Sequence, residues 1–452
     1  MKMKTFKMYK TFTMKLIKIF ITLFIFAFSM QLYAQKILTK KEAITLALKN
    51  NYGIQLAKNN IKIAKNNSST FNSKMLPTLS TSAGARYNTS NQDIVYRDGT
   101  NVSITNAETK TYNASLNLNY IIFDGLGRKY NYKQLKETHN LSAIEAKGTI
   151  ENTYVSIFTV YFQIARLSEN TQTLKEVLNI SKQRLLRANY QYDYGQTTKL
   201  DVLNATVDVN NDSINFINTR QLLVNAKRDL NIILVKQQSI TYTVETDVQF
   251  IPLFSFDDLY VKALKNNNIL KQQEKNINIS KYAVKATQSS YLPSVGLTSS
   301  YAWNKSSNPA TSFFSGSTIT GLNVGVNLSW DIFDGGNTKT LVANSKIFLE
   351  NQQIIQQQQT DNLKSVLQNT WGAYQNQLYV FKAQQQNVLT AENNFQRTNE
   401  KYQLGQVTSI EFRQAQVNLL NTKTALNNAK YDAKLIEIQL LQLSGQLLDI
   451  EF

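Results

Sequence analysis

The chain has 452 residues and a formal net charge of +18; 42% of residues are apolar, only 18% are charged, Cys is absent and His139 is the single histidine. Without Cys there is no disulfide, thiolate metal site, cysteine nucleophile or acylated N-terminal Cys, and one His leaves little for a metal centre or a nucleophile–His pair. No catalytic residue, cofactor or metal site is therefore assigned.

Residues 1–34 read as a cleaved export signal. Lys2, Lys4, Lys7, Lys10, Lys15 and Lys18 form a basic front, Ile19–Phe28 is an apolar run broken only by Thr22, and Ala34 closes the segment. A run this short cannot span a bilayer, which needs roughly 20 residues. Cleavage removes six lysines and no acid, so +18 falls to +12. The remaining Lys and Arg are scattered along helical segments, which reads as solvated surface. Nucleic acid is not an expected partner.

A first structural repeat is expected over 35–250. It opens with a helix, "LTKKEAITLALKNN" (Leu38 to Asn51), carrying a capping box of Thr39 and Glu42, and the helical stretch ends at Pro77. A β-hairpin follows over 78–123, with strands near 78–88 and 111–123 and a polar, exposed loop between them. In its second strand Tyr112, Ala114, Leu116, Leu118, Tyr120 and Ile122 alternate with Asn113, Ser115, Asn117 and Asn119. A proline-free long helix covers 126–187, a turn falls near Gly195, and a return helix covers 197–235. The segment "SITYTVETDVQFIP" then joins the two halves.

The second repeat, 251–452, runs in the same order. A helix of about 255–291, capped by Ser255 and Asp258, stops at Pro293, and a hairpin occupies 294–333. A long helix over 336–403, a turn near Gly405 and a return helix over 407–444 complete it. The offset between copies is 216 up to the first strand and 210 after the second, so the first hairpin has the longer loop. At 1.5 Å per residue the long helices reach roughly 90–100 Å. The last return helix repeats Phe412, Ala415, Leu419, Thr422, Leu426, Ala429, Ala433, Ile436, Leu440 and Leu443 at coiled-coil spacing. In the first copy the same positions hold Val202, Ala205, Val209, Asp212, Phe216, Thr219, Leu223, Ala226, Leu230 and Ile233, and the seam is read as structural.

Two readings of the alternating strands stand open. In a soluble sandwich the apolar face packs on a core; in a membrane barrel it meets lipid while the polar face lines a wet interior. Eleven-residue apolar runs match the ~9–11 residues of a tilted spanning strand. Aromatics crowd the strand ends nearest the helices, as at a bilayer interface. The barrel reading makes Leu116, Leu118, Tyr120, Val324, Val326, Leu328 and Trp330 lipid-facing. It also requires a homo-oligomer, because four strands cannot close and an open edge cannot lie in lipid.

The capped opening helix, the "LP" before each first strand, the "IFDG" after each second strand and the Y-x-x-G turns occur in order and in duplicate. On these residues the chain, from about Leu38 to Gly445, resembles the TolC-like outer-membrane efflux proteins. "YGQTTKLDVLNA" (Tyr194 to Ala205) is especially similar to that family's tip sequence. The resemblance implies a mainly α fold with a membrane β-barrel: a homotrimer with a 12-stranded outer-membrane barrel, surrounded by outer-membrane lipid, and a long periplasmic α-barrel. It implies a periplasmic adaptor (membrane fusion protein) and an inner-membrane transporter as partners. The function it implies is the passive exit channel of a tripartite efflux or type I secretion system, and not an enzyme.

The family's periplasmic entrance maps to the two turns. Tyr192, Gly195, Tyr402 and Gly405 are the expected adaptor-docking positions; a helix stop is the other reading of each glycine. Asp201 and Glu411, at matched positions past the turns, would form a ring of like charge resisting full ionisation. The alternative is a pair of helix-start carboxylates favoured by the macrodipole. Where some relatives carry an Arg and a second acid, this chain has Thr197 and Asn204 in one copy and Val407 and Gln414 in the other. A closed state held by hydrogen bonds through Thr197, Asn204 and Gln414 is therefore expected in place of salt bridges. Two other classes remain: an exported structural or adhesive coiled coil at the surface, and a secreted carboxylate hydrolase.

Overall fold

A computed structural model describes residues 37–236, 240–252 and 255–450, so the expected signal lies outside the described residues. The elements run β1 (Ile37–Leu38), α1 (Lys40–Asn50), α2 (Tyr52–Asn67), β2 (Thr78–Val95), β3 (Asn101–Asp124), α3 (Gly127–Asp193) and α4 (Lys199–Leu234). They continue as β4 (Thr243–Val244), α5 (Phe256–Asn266), α6 (Asn268–Gln288), β5 (Ser294–Ser307), β6 (Gly316–Ser329), α7 (Asn337–Gln403) and α8 (Ser409–Leu443). One compact unit gathers Gly53–Thr149 and Asp257–Val366. The other gathers the described residues up to Tyr52, Ile150–Phe256 and those from Leu367 onward.

The first of these units holds an antiparallel sheet in the order β2-β3-β5-β6. Its first hairpin departs from expectation. The stretch read as an exposed loop is strand almost to its tip, and only Tyr96–Thr100 turns, closed by Tyr96 N–H donating to Thr100 O at 2.8 Å. Val, Ile and Thr in "DIVY" and "NVSIT" favour extended backbone, and the Asp98–Gly99 pair is a strong hairpin signal; Gly99 sits at φ +87°. A bulge between Ser90 and Gln92 bends the ribbon, and Asn91 Oδ1 accepts from Asn106 N–H there at 3.0 Å. The tip is tied to the other hairpin: Tyr96 OH donates to Thr311 O at 2.8 Å. In the second hairpin, β6 ends at Ser329, short of the expected 333.

The "IFDG" motif acquires a physical meaning at the base of the sheet. Asp124 ends β3 and its carboxylate accepts from Arg128 N–H at 2.9 Å, capping α3; Asp334 does the same for Thr338 N–H at 2.7 Å. Gly125 turns the chain at φ +66°, and a Cβ built on it would lie 2.5 Å from Ser289 O. No other residue fits so close an approach.

The single opening helix expected in each copy is broken. In "ALKNN" the last Asn leaves the helix at φ −59°, ψ 128° (Asn51) and φ −58°, ψ 128° (Asn267). Asn267 then caps the next helix, its Oδ1 accepting from Ile269 and Leu270 N–H. Asn is a favoured N-cap because its short side chain competes with the helical backbone bonds.

The long helices α3 and α7 have 67 residues each, about 100 Å at 1.5 Å per residue. α3 continues six residues past the expected 187, since nothing stops it before Gly195. In the second unit the core gathers around Phe158, Tyr161, Phe162 and Tyr431, all under 2% exposed. Each such ring contributes roughly 1.5–3 kcal/mol of burial. The same rings tie down the joint between the halves. Tyr161 OH donates to Leu38 O at 2.7 Å and accepts from Glu245 N–H at 3.0 Å, beside the parallel pair β1 and β4. Lys434 pairs with Glu437 in the core and donates to Gln249 O, while Ile251 N–H and Tyr374 OH donate to Glu437. Burial pushes the Lys434 pKa down and the Glu437 pKa up, and each partner offsets part of the other's shift.

Candidate functional site at the helical turns

Both helical reversals end in the same way. Gly195 N–H donates to Tyr192 O and Gln196 N–H to Gln191 O; Gly405 N–H donates to Tyr402 O and Gln406 N–H to Lys401 O. These are Schellman stops, which need left-handed backbone at the glycine: φ is +68° at Gly195 and +74° at Gly405. The stops leave apolar side chains exposed at matched positions, Tyr194 with Leu200 in one turn and Leu404 with Ile410 in the other. The two predicted tyrosines differ. Tyr192 is 42% exposed beneath Lys199, whereas Tyr402 stacks on Phe412 at 4.6 Å and receives Arg187 on its ring.

The carboxylates past the turns serve their own helices. Glu411 accepts from Thr408 N–H at 2.7 Å and Thr408 Oγ1 accepts from Glu411 N–H, a complete capping box. Asp201 accepts from the hydroxyls of Thr197 and Thr198. The Thr197 bond is the main influence holding Asp201 below the usual carboxylate range, and the Thr408 backbone bond does so for Glu411. Within the chain these bonds favour the charged form. Of the other predicted polar residues, Asn204 and Gln414 line a cleft of about 360 Å³ together with Asp201. Gln414 also donates to Asn418 along α8.

The same cleft holds what the sequence reading missed. Arg413 of α8 grips Asp212 of α4 through two bonds of 2.7 and 2.8 Å and reaches Asp208 at 3.4 Å. Arg184 of α3 pairs with Asp208 and reaches Ser409 O. Ser181 donates to Asp212 at 2.6 Å, and Gln416 donates to Val177 O at 3.0 Å. Three helices of the one chain are thus pinned by a largely buried ion cluster. Asp212 is 1% exposed. Burial alone would lower the Arg413 pKa; Asp212 and Asp208 outweigh it and push it up. The one signal in the sequence was Asp212 itself, a charge at a coiled-coil seam position.

Against known proteins, the chain matches the outer membrane efflux protein family over residues 43–234 and 259–446. It belongs to that family, whose members are outer-membrane channels. It is 22% identical to the outer membrane efflux protein BepC of Brucella suis over 337 residues, 75% of this chain and 73% of that protein. It is 24% identical to the outer membrane protein TolC of Escherichia coli over 395 residues, 83% and 76% of the two chains. Among solved structures, the Campylobacter jejuni CmeC outer membrane channel superposes with a TM-score of 0.75 at 18% identity, covering 90% of this chain and 86% of that one. The open state of the Neisseria gonorrhoeae MtrE channel gives 0.71 at 14% identity, covering 90% and 89%.

Asp212→Asn should weaken the turn region, since it leaves a largely buried Arg413 with Asp208 alone. The expected cost is at the lower end of the ~3–5 kcal/mol for breaking a buried pair. Heating in detergent should show earlier loss of helical signal, and limited proteolysis should cut the turns faster. Unchanged melting and cleavage would show the cluster to be energetically idle.

Proposed function

We propose that the protein is the passive outer-membrane exit duct of a tripartite export system, built from three copies of this chain. One observation carries the reading: a four-stranded sheet of membrane-spanning length whose outer strands, β2 and β6, both have bare edges among the described residues. Neither edge can sit in hydrocarbon unpaired, and four strands cannot close on themselves.

The internal repeat supplies the missing register. β3 pairs with β5 within one chain, with Ala114 opposite Trp303 and Asn119 opposite Thr298. Adding 210 to a β3 number and subtracting 216 from a β5 number carries this pairing to β6 of one copy and β2 of the next. Val324 then faces Tyr87 and Ser329 faces Ser82, and the apolar faces stay aligned. Two asymmetries support it. Gly335, the counterpart of Gly125, has φ +69°, but a Cβ built on it meets nothing within 4 Å. The counterpart of Ser289 is Ser73, so Ser73 of a second copy fits that space. Residues 330–334 are irregular where their counterparts 120–124 are strand, because their pairing partner lies on the next copy.

Cargo enters at the turns and leaves through the sheet barrel. A periplasmic adaptor docks on the turns, where Tyr192, Gly195 and Gly405 sit beside the exposed Tyr194, Leu200, Leu404 and Ile410. An inner-membrane transporter provides the energy. Asp201 and Glu411 of three copies line the entrance as a ring of negative charge. Within one chain hydrogen bonds lower each carboxylate pKa, so the charge is lost only as pH falls through the lowered value.

Oxidising the Val324→Cys, Tyr87→Cys double variant should give covalent dimers and trimers, a clean experiment in a chain with no cysteine of its own. Either single variant should give none, and monomer alone from the double variant would contradict the seam. In planar bilayers, Asp201→Asn with Glu411→Gln should change single-channel conductance and reduce cation preference, with no titration of the native channel by these groups between pH 5 and 8. Native conductance and selectivity in the double variant would remove the ring.

A further inference from the structure

The net positive charge of the mature chain is not spread evenly once folded. Between Gly53 and Pro77 there are four lysines and no acid, and α7 meets no acid before Glu350. Besides Lys49 and Lys265 of the opening helices, three lysine positions are kept in both copies: Lys65 with Lys281, Lys129 with Lys339, and Lys136 with Lys346, by the same offsets of 216 and 210. All six are exposed. Among the described residues none of the six forms an ion pair. The charge is reinforced from within: Lys133 and Lys285 both lie over the Tyr130 ring, at 6.0 and 5.6 Å, with Lys133 also 5.6 Å from the Tyr282 ring.

Their height is fixed by the chain. Lys129 and Lys339 are the third residues of α3 and α7, just past the strand ends. Lys136 and Lys346 lie seven residues further, about 10 Å at 1.5 Å per residue and on the same helix face. The strand ends carry exposed Phe123, Tyr291, Trp330 and Phe333, the aromatic signature of a bilayer boundary. Headgroups occupy roughly 5–7 Å on each side of the hydrocarbon. Lys129 and Lys339 thus fall in the headgroup layer, and Lys136 and Lys346 lie within about one Debye length, ~8 Å, of it.

We infer that the six matched lysines form a collar that binds anionic phospholipid headgroups of the leaflet facing the helices. The inference rests on the barrel reading above and adds a ligand class to it. The chemistry is a row of ammonium groups without carboxylate partners, continuous with a membrane-spanning sheet and facing phosphate. A lysine near an anionic surface contributes about 1 kcal/mol, or roughly fivefold in affinity.

The test uses the full-length oligomer in detergent, titrated with dye-labelled phosphatidylglycerol or phosphatidylcholine, and the same protein reconstituted in bilayers. Native protein should prefer phosphatidylglycerol, and the preference should fall as salt rises. Replacing Lys65, Lys129, Lys281 and Lys339 with Gln should reduce it at least about tenfold, allowing for incomplete additivity; replacement with Arg should keep it. A preference insensitive to salt in the native protein would overturn the collar, even if the Gln variant fails to assemble. So would a Gln variant with native lipid preference but altered anion permeability, which would put the lysines in the pore. Native protein that never inserts as an oligomer would remove the barrel reading and the collar together; insertion without lipid preference would remove only the collar.

Discussion

A β-strand edge cannot be left bare where there is no water. Each unpaired N–H or C=O in hydrocarbon costs several kcal/mol, and a row of them along β2 and β6 would exceed the stability of an ordinary domain. The apolar faces of the same strands, with Val324, Val326 and Leu328 all more than half exposed, are equally unsuited to water. The two demands conflict in a monomer, and the proposed duct reconciles them by closure with further copies. The fold also needs no apolar helix for the membrane: none in the described residues is long and apolar enough to cross one, and the sheet takes that role.

The duplication supports the proposed closure. One copy of each contact is made inside the chain and the other is left open: Gly125 is filled by Ser289 while Gly335 faces empty space. In the second unit cohesion comes from a few concentrated features. The aromatic core around Tyr161 and Tyr431 holds the joint between the halves, and the Arg413 cluster pins α3, α4 and α8. Between them, seams of Ala and Val let long polar helices approach closely at little hydrophobic cost.

Strand alternation, the prolines before each hairpin, the length of the long helices and the glycine turns were legible because each is local and periodic. The extra length of the first hairpin was not, since polar residues beyond the bilayer look like loop; Asp98–Gly99 was the missed turn signal. The Asn51 and Asn267 breaks hide in "ALKNN", where a helix end and the next cap are adjacent. The ion cluster and its hydrogen bonds join residues as much as 239 positions apart, and only Asp212 in its coiled-coil seam hinted at it. The lysines read as scattered because α2, α3, α6 and α7 are distant in sequence; only their matched positions in the two copies turn them into a collar.

The central physical claim is that the two faces of the strands meet different media. Single cysteines placed one at a time from residue 113 to 120 of β3, in the membrane-inserted protein, test it directly with a water-soluble, membrane-impermeant thiol reagent. Cysteines replacing Asn113, Ser115, Asn117 and Asn119 should react, and those replacing Ala114, Leu116, Leu118 and Tyr120 should be protected. Equal reactivity on both faces would mean that the sheet stands in water, and the duct would have no wall.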